Sequence, residues 1–541
     1  MGLAWLLSLT GYLWFFASRG RRAFAPLTAI SVLGLSVFAL SLCGWLAWGG
    51  YALAGVGLAL LIWMLLRRDQ ALLHWDMALF ALLCLALFLR YRNGLLVAYD
   101  DFSHWGMIVR RMLATNALPA SGDSLIQFQS YPPGAACWLW YVCRFLGGGD
   151  GMMLTAQAWL VLAALWPLTE NGTGGGYPAK WAGIGTVLLA GLSLYQGTAS
   201  LMVDNLLAAL AIGALAAAMS DEKNKGIRVC LSATLAMLCM VKDSGLFFAA
   251  VVFAALLLKK KTQSGKRLAC VWPLIPAALC RVVWYVHIKT AFPAADVSRH
   301  ALTLTNMRLA GADKSYGDML TIAKELIKTA ATLNNPALQI LLLAAVTYGA
   351  LRLLGLGTRR DGWIPLLGLA VYAAWLAGLW GMYVFSMPVD GALKLDAYER
   401  YNSTCALFLY GAWAVWLLRR LRQGGRLQSL TALLLVLPML WGGWRAGIPR
   451  LFRETYQVPM RAQMQALAEQ RPVRDGEQAA LLLPEGVSQA FAAYMARYVF
   501  QTAQMSVYIG GPVDDGTDVV YLLPGADRTG LPDHAQVVEE R

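Results

Sequence analysis

Residues Trp363–Phe385, WIPLLGLAVYAAWLAGLWGMYVF, contain no charged side chain. A helix rises about 1.5 Å per residue, so this stretch can cross the ~30 Å hydrocarbon core of a bilayer. Only a helix or a closed barrel satisfies its own backbone in lipid. Working outward, similar apolar runs recur at Leu27–Trp48, Trp75–Leu89, Ile184–Leu194 with its flanks, Leu268–Ile288 and Ala337–Leu354. The first run, Leu3–Ala17, lacks a basic leading segment and a small-residue cleavage site, so it reads as a retained span and not a signal peptide. Composition agrees. Hydrophobic residues make up 58% of the 541 positions and charged residues 14%, and the mean hydropathy is +0.53. A soluble protein carries about 25% charged residues. The chain is therefore expected to be a polytopic, all-α membrane protein.

The formal net charge of +14 does not point to nucleic acid, because the basic residues fall in short clusters between apolar runs. These are Arg19/Arg21/Arg22, Arg67/Arg68, Lys223/Lys225, Lys259–Lys261 with Lys266/Arg267, Arg359/Arg360, and Arg419/Arg420/Arg422 with Arg426. That spacing is the mark of cytoplasmic loops. The nine cysteines are scattered, with no paired spacing, so neither zinc nor a disulfide framework is expected.

Placing those clusters inside the cell puts three loops outside, near 90–131, 291–335 and 386–402. Ala135–Leu146 is short and contains Arg144, so it reads as a juxtamembrane or re-entrant helix. Arg228–Leu258 is apolar except for Lys242 and Asp243 near its middle. As one helix it would bury two charges at the bilayer centre, at roughly 2.5–3.5 kcal/mol each. As a hairpin it keeps both flanking basic clusters inside and carries Lys242 to the outer surface. About fourteen spans result, with both ends outside.

The tail differs. Residues 455–541 hold eleven acidic and six basic residues, net −5, against a strongly basic remainder. Ala479–Leu483, Met505–Ile509 and Val519–Leu523 read as strands, and Val487–Gln501 as an amphipathic helix. The expectation is a membrane domain over 1–447 and a small extracytoplasmic α/β domain over 448–541.

The strongest chemical signal is Tyr99-Asp100-Asp101-Phe102-Ser103-His104-Trp105 in the first outside loop. Two adjacent carboxylates directly after a span suit work at the lipid–water boundary. A carboxylate there can take a proton from a hydroxyl nucleophile or help hold a divalent cation against a phosphate. The bland alternative is a helix N-terminus, where the dipole favours acids. On the same face the topology puts Asp204, which opens a span, Lys242 at the hairpin tip, and Glu399-Arg400-Tyr401 before a late span. Singly, each reads as a structural anchor. Together, carboxylates facing a lysine and an arginine next to lipid describe a site for a lipid-linked phosphate and a hydroxyl acceptor. His104 lies one turn after Asp100, within pairing distance on a helix, though a plain polar surface contact is the simpler reading. The triplet Asn171-Gly172-Thr173 falls inside by this topology, and the glycine runs Gly147–Gly149 and Gly174–Gly176 lack nucleotide-binding spacing.

These residues, in this order and sidedness, resemble the GT-C glycosyltransferases, polytopic enzymes that include the protein O-mannosyltransferases and the lipid A aminoarabinose transferases. The resemblance covers roughly residues 75–420. It rests on the acidic pair Asp100-Asp101, the helix Phe102–Met112, the element Tyr131-Pro132-Pro133-Gly134, the later Asp204, the turn Lys242-Asp243-Ser244-Gly245, and Arg400-Tyr401. It implies a sugar transfer, with inversion, from a polyprenyl-phosphate carrier to a cell-envelope glycan, lipid or protein on the outer face of the cytoplasmic membrane. In that reading Asp100 or Asp101 is the catalytic base; Lys242, Arg400 and Tyr401 contact the donor phosphate. Asp204, His104 and Glu399 position the acceptor or a metal. Members of the superfamily differ in metal use, so a divalent cation (Mg or Mn) stays open. A transporter or flippase of envelope precursors is the rival reading, and a non-catalytic membrane scaffold the third. Against transport, the charges gather at one face and not at the bilayer midplane.

Overall fold

The computed structural model describes residues 1–126, 128–170, 181–188, 200–220, 224–261, 271–292, 304–421 and 459–539. The Asn171–Thr173 triplet, Gly174–Gly176 and the basic-cluster members Lys223, Lys266, Arg267, Arg422 and Arg426 lie outside them. So do the expected domain boundary near 447 and parts of the runs Ile184–Leu194 and Leu268–Ile288.

Most of the structure is a helical bundle. Its centre is the helix Asp204–Met219, which packs against Tyr398–Leu421, Lys225–Cys239, Gly245–Lys261 and Asp150–Leu165. Its sequence, DNLLAALAIGALAAAM, is mostly alanine, glycine and leucine, and small residues let neighbouring backbones approach closely. At Gly411, on the partner helix, an added Cβ would come within 2.2 Å of Ile212. Among the described residues five helices are long and apolar enough to cross a membrane: Arg22–Leu42, Leu46–Leu66, Asp150–Thr169, Pro336–Leu353 and Arg359–Phe385. Shorter apolar helices are Asp204–Met219 and Gly245–Lys259. The stretch Trp363–Phe385 is helical throughout and largely exposed on the bundle's periphery, as a lipid-facing helix would be.

Two of the apolar runs are interrupted. The run Leu27–Trp48 is not one helix. It ends at Leu42, Gly44 takes a left-handed φ of +70°, and a new helix starts at Leu46. The run with Lys242 also breaks: Lys225–Cys239 and Gly245–Lys261 flank a turn carrying Lys242 and Asp243, as a hairpin requires. Gly134–Leu146 is a helix of 13 residues, almost wholly buried. Its length of about 20 Å is short of a bilayer core.

The two ends of the central helix are chemically distinct. At its C-terminal end Lys259 Nζ donates to the carbonyls of Ala218 (2.9 Å) and Ser220 (2.6 Å), capping the last turn. Glu170 accepts from Ser220 and pairs with Arg21 at the same end. Asp204 marks the other end, where the site lies.

Residues 459–539 form a helix, Pro459–Gln470, and a parallel sheet of four strands in the order β2-β1-β3-β4. The strands are β1 Ala479–Leu483, β2 Met505–Ile509, β3 Val519–Leu522 and β4 Gln536–Glu539; the last has no counterpart in the sequence reading. The helix Gln489–Phe500 makes the crossover from β1 to β2. The central strands β1 and β3 are buried at every position, as a sheet covered on both faces demands. Alternate residues serve different cores. Ala480, Leu482, Val520 and Leu522 form a separate apolar cluster, while Ala479, Leu481, Leu483, Val519 and Tyr521 join the main core of the molecule.

Candidate active site

The loop after the helix Trp75–Tyr91 carries the acidic pair. Asp100 precedes a single π-helical turn, Asp101–Trp105, which leads into the helix Gly106–Thr115. Such turns widen the helix locally and recur at functional sites. The two neighbouring carboxylates face different surroundings.

Asp100 is about one-third exposed, and its Oδ2 accepts from Arg400 Nη1 at 2.5 Å. Arg400 sits in the first turn of Tyr398–Leu421; its Nε lies 3.6 Å from Asp204 Oδ2, and its Nη2 donates to the Tyr401 hydroxyl at 3.1 Å. Asp204 Oδ1 in turn accepts from Lys242 Nζ at 2.8 Å, and Lys242 lies 5.4 Å from the centre of the Tyr401 ring. The structure thus joins four elements separated by up to 300 residues into one alternating chain of charge: Asp100, Arg400, Asp204, Lys242. Burial pulls the Lys242 ammonium down most strongly, but Asp204, Tyr401 and Tyr131 together outweigh it and hold the lysine above its ordinary value, so it stays charged.

Asp101 is fully buried. Its Oδ1 accepts from the Leu201 amide (2.8 Å) and the Ser200 hydroxyl (3.0 Å), while its Oδ2 has no partner among the described residues. Burial pushes its pKa up to about 7, against the lowering effect of those two donors; Asp100 next to it raises it further. Gln157, itself buried, donates to the carbonyls of Ser200 and Met202, each at 3.1 Å, and so supports the segment that holds Asp101.

Two of the expected residues are placed elsewhere. His104 is not a surface contact. It is buried against the rings of Trp105, Phe128 and Tyr131, with neither nitrogen bonded among the described residues, and burial lowers its pKa to about 3. It is a neutral ring in an aromatic cluster. Glu399 is exposed, and its backbone carbonyl accepts from the Ser403 hydroxyl. Sequence reasoning also missed Tyr131 as a ring: it stacks on Trp105 and Phe128 and forms an aromatic wall near the charged chain. Its place in a Tyr-Pro-Pro-Gly element was the available signal.

A divalent cation fits these residues poorly. The Asp204 carboxylate is shared between Lys242 and Arg400, Asp100 is held by Arg400, and among the described residues no group of three or more His, Cys, Asp or Glu side chains gathers around one point. The arrangement suits an anion instead. Lys242 and Arg400 can turn to a phosphate at the cost of bonds to carboxylates that then become free acceptors.

No family model matches the chain, and no curated protein matches it in sequence. Among solved structures it is similar to ArnT from Cupriavidus metallidurans in the apo state, at 13% identity and a TM-score of 0.37 over 78% of this chain and 84% of that one. The same protein bound to undecaprenyl phosphate gives 12% identity and a TM-score of 0.36, over the same shares. The archaeal oligosaccharyltransferase AglB from Archaeoglobus fulgidus, in complex with an inhibitory peptide and a dolichol-phosphate, gives 11% identity and a TM-score of 0.38 over 79% of this chain and 64% of that one. Likeness at this level assigns no role to any residue.

Proposed function

We propose that the chain is a membrane glycosyltransferase that moves a sugar from a polyprenyl-phosphate donor to a hydroxyl of a cell-envelope acceptor. The observation that carries this reading is the chain of charge from Asp100 through Arg400 and Asp204 to Lys242, beside a buried carboxylate with one unpartnered oxygen among the described residues. In the reaction the acceptor oxygen bonds to the anomeric carbon as its proton passes to a carboxylate. The bond from that carbon to the phosphate oxygen breaks, and its electron pair leaves on the carrier phosphate. Lys242 and Arg400 neutralise the charge that builds there. Asp101 suits the base, since a pKa of about 7 lets it hold a proton near neutrality and the Oδ2 is unpartnered. Asp100 suits the role of aligning Arg400. In-line displacement gives inversion at the anomeric carbon. The fourteen-span topology, the cytoplasmic membrane and an outward-facing site belong to the same reading.

The test compares a deletion strain complemented with wild type, Asp100→Asn or Asp101→Asn, with envelope glycans and polyprenyl-phosphate sugars read by mass spectrometry. One glycan should lose a sugar while its lipid-linked form accumulates, and Asp101→Asn should reproduce the deletion at normal protein level. Unchanged glycans and lipid pools in the deletion strain would overturn the reading in favour of transport or scaffolding.

A further inference from the structure

Behind the acidic turn lies a second ionic cluster that the proposed chemistry does not use. Asp150, at the start of Asp150–Leu165, accepts four hydrogen bonds. Its Oδ1 takes the Tyr498 hydroxyl (2.7 Å) and Arg110 Nη2 (3.1 Å). Its Oδ2 takes Arg461 Nη2 (3.1 Å) and the Leu96 amide (3.2 Å). Leu96 leads into the acidic turn and Arg110 leaves it, whereas Arg461 and Tyr498 belong to the C-terminal α/β region. Both guanidinium groups lie near the Tyr498 ring, that of Arg110 at 4.1 Å and that of Arg461 at 5.5 Å from its centre.

The helix that carries Tyr498 touches the turn directly. Phe102, next to Asp101, packs on Tyr498 (5.3 Å) and Phe491 (6.0 Å), and Tyr99 packs on Tyr494 (4.6 Å). Gly106 permits this approach: an added Cβ would sit 2.6 Å from Leu96 Cδ1, 2.9 Å from the Asp101 carbonyl oxygen and 3.1 Å from Tyr498 Cε2. One carboxylate therefore ties both limbs of the turn to the sheet region, and one helix braces the turn's back.

We infer that Tyr498, through Asp150 and Phe102, is a positioning residue that holds the Asp101 turn, making the C-terminal α/β region an integral part of the catalytic site. The inference rests on the transferase reading for its activity arm only. The ionisable groups facing Asp101's turn from its own element and those packed against it include Asp100 with Arg400, His104, Tyr99 with Tyr494, and Tyr498 with Arg110, Arg461 and Asp150. Removing the Tyr498 hydroxyl frees the turn, admits water to Asp101 and lets its basicity fall toward that of an ordinary carboxylate.

The experiment uses the full chain in lipid nanodiscs, with Tyr498→Phe, the milder Phe491→Leu in case the first fails to fold, and Arg528→Ala on the sheet's exposed rim as control. Hydrogen exchange of peptides covering 99–112 should quicken about tenfold in the first two variants while the central helix 204–219 stays unchanged. With a polyprenyl-phosphate sugar donor, kcat should fall about tenfold at unchanged donor KM, and the acid limb of the pH–rate profile should move to lower pH. Exchange that is unchanged at 99–112, or that rises equally everywhere, overturns the inference, as does a fixed acid limb. If wild type transfers no sugar, the transferase reading falls, and the exchange at 99–112 still decides whether Tyr498 holds the turn.

Discussion

Two ionic clusters among the described residues, one at Asp150 and one at Asp204, both pair carboxylates with cations, and they behave differently. The cluster at Asp150 gathers one carboxylate, two arginines and a tyrosine, and both Arg461 and Asp150 are only 2% exposed. Both oxygens of Asp150 are doubly engaged. The cluster at Asp204 has two carboxylates, a lysine and an arginine, with Arg400 and Asp100 about 30% exposed. Its bonds are exchangeable, and its neighbour Asp101 keeps an oxygen with no partner among the described residues. Saturation and burial suit the first to anchoring; incomplete pairing and access suit the second to the proposed chemistry.

That contrast predicts opposite failures. The largest effect should come from Asp101→Asn, which should lower turnover by roughly 10²–10⁴-fold without loss of stability near neutral pH, measured with a purified lipid-linked donor. Asp150→Ala should fail chiefly through stability, with turnover falling only about tenfold as the Asp101 turn loosens. It leaves Arg461 buried without its carboxylate, a loss of about 3–5 kcal/mol in unfolding free energy, read by thermal melts in detergent. Lys242→Gln should fall between: Asp204 keeps Arg400, so stability should drop only about 1–2 kcal/mol while donor affinity falls clearly more. An equal loss of stability at Asp150 and Lys242 would erase the distinction between anchor and site.

A smaller effect lies in pH. The folded Asp101 binds its proton more tightly than the unfolded chain does, with a pKa raised from 3.8 to about 7. Between those values the folded state holds more protons. This residue's contribution to stability is therefore present below about pH 4 and is lost as pH rises to about 7, at up to about 1.4 kcal/mol per pH unit. Melting curves of wild type and Asp101→Asn between about pH 4 and 8 should diverge in that window, with the variant flatter. Activity should follow the opposite direction, rising as Asp101 ionises.

The hairpin and the gathering of charge were legible early because their causes are local. A charge-free run long enough to cross a bilayer must be helical, and two charges in the middle of an apolar run must break it, as Lys242 and Asp243 do. The convergence of Asp100, Asp204, Lys242 and Arg400 followed from counting which side each loop faces. The burial of His104 and the exposure of Glu399 were not legible, because spacing on a turn does not say whether a ring turns inward to aromatic neighbours or a side chain outward to solvent. The π-helical turn that separates Asp100 from Asp101 has no sequence signature at all.

What the sequence alone determined is the class of the molecule and the set of charges that gather at one end of its bundle, since hydropathy and charge order act along the chain. What only the tertiary structure decided is which carboxylate is buried, which is shared with cations, and how the sheet region reaches the turn. Asp150 meets Arg461 across 311 residues and Tyr498 across 348. No local pattern encodes such contacts, because their energy comes from packing and desolvation that exist only once the distant helices have met.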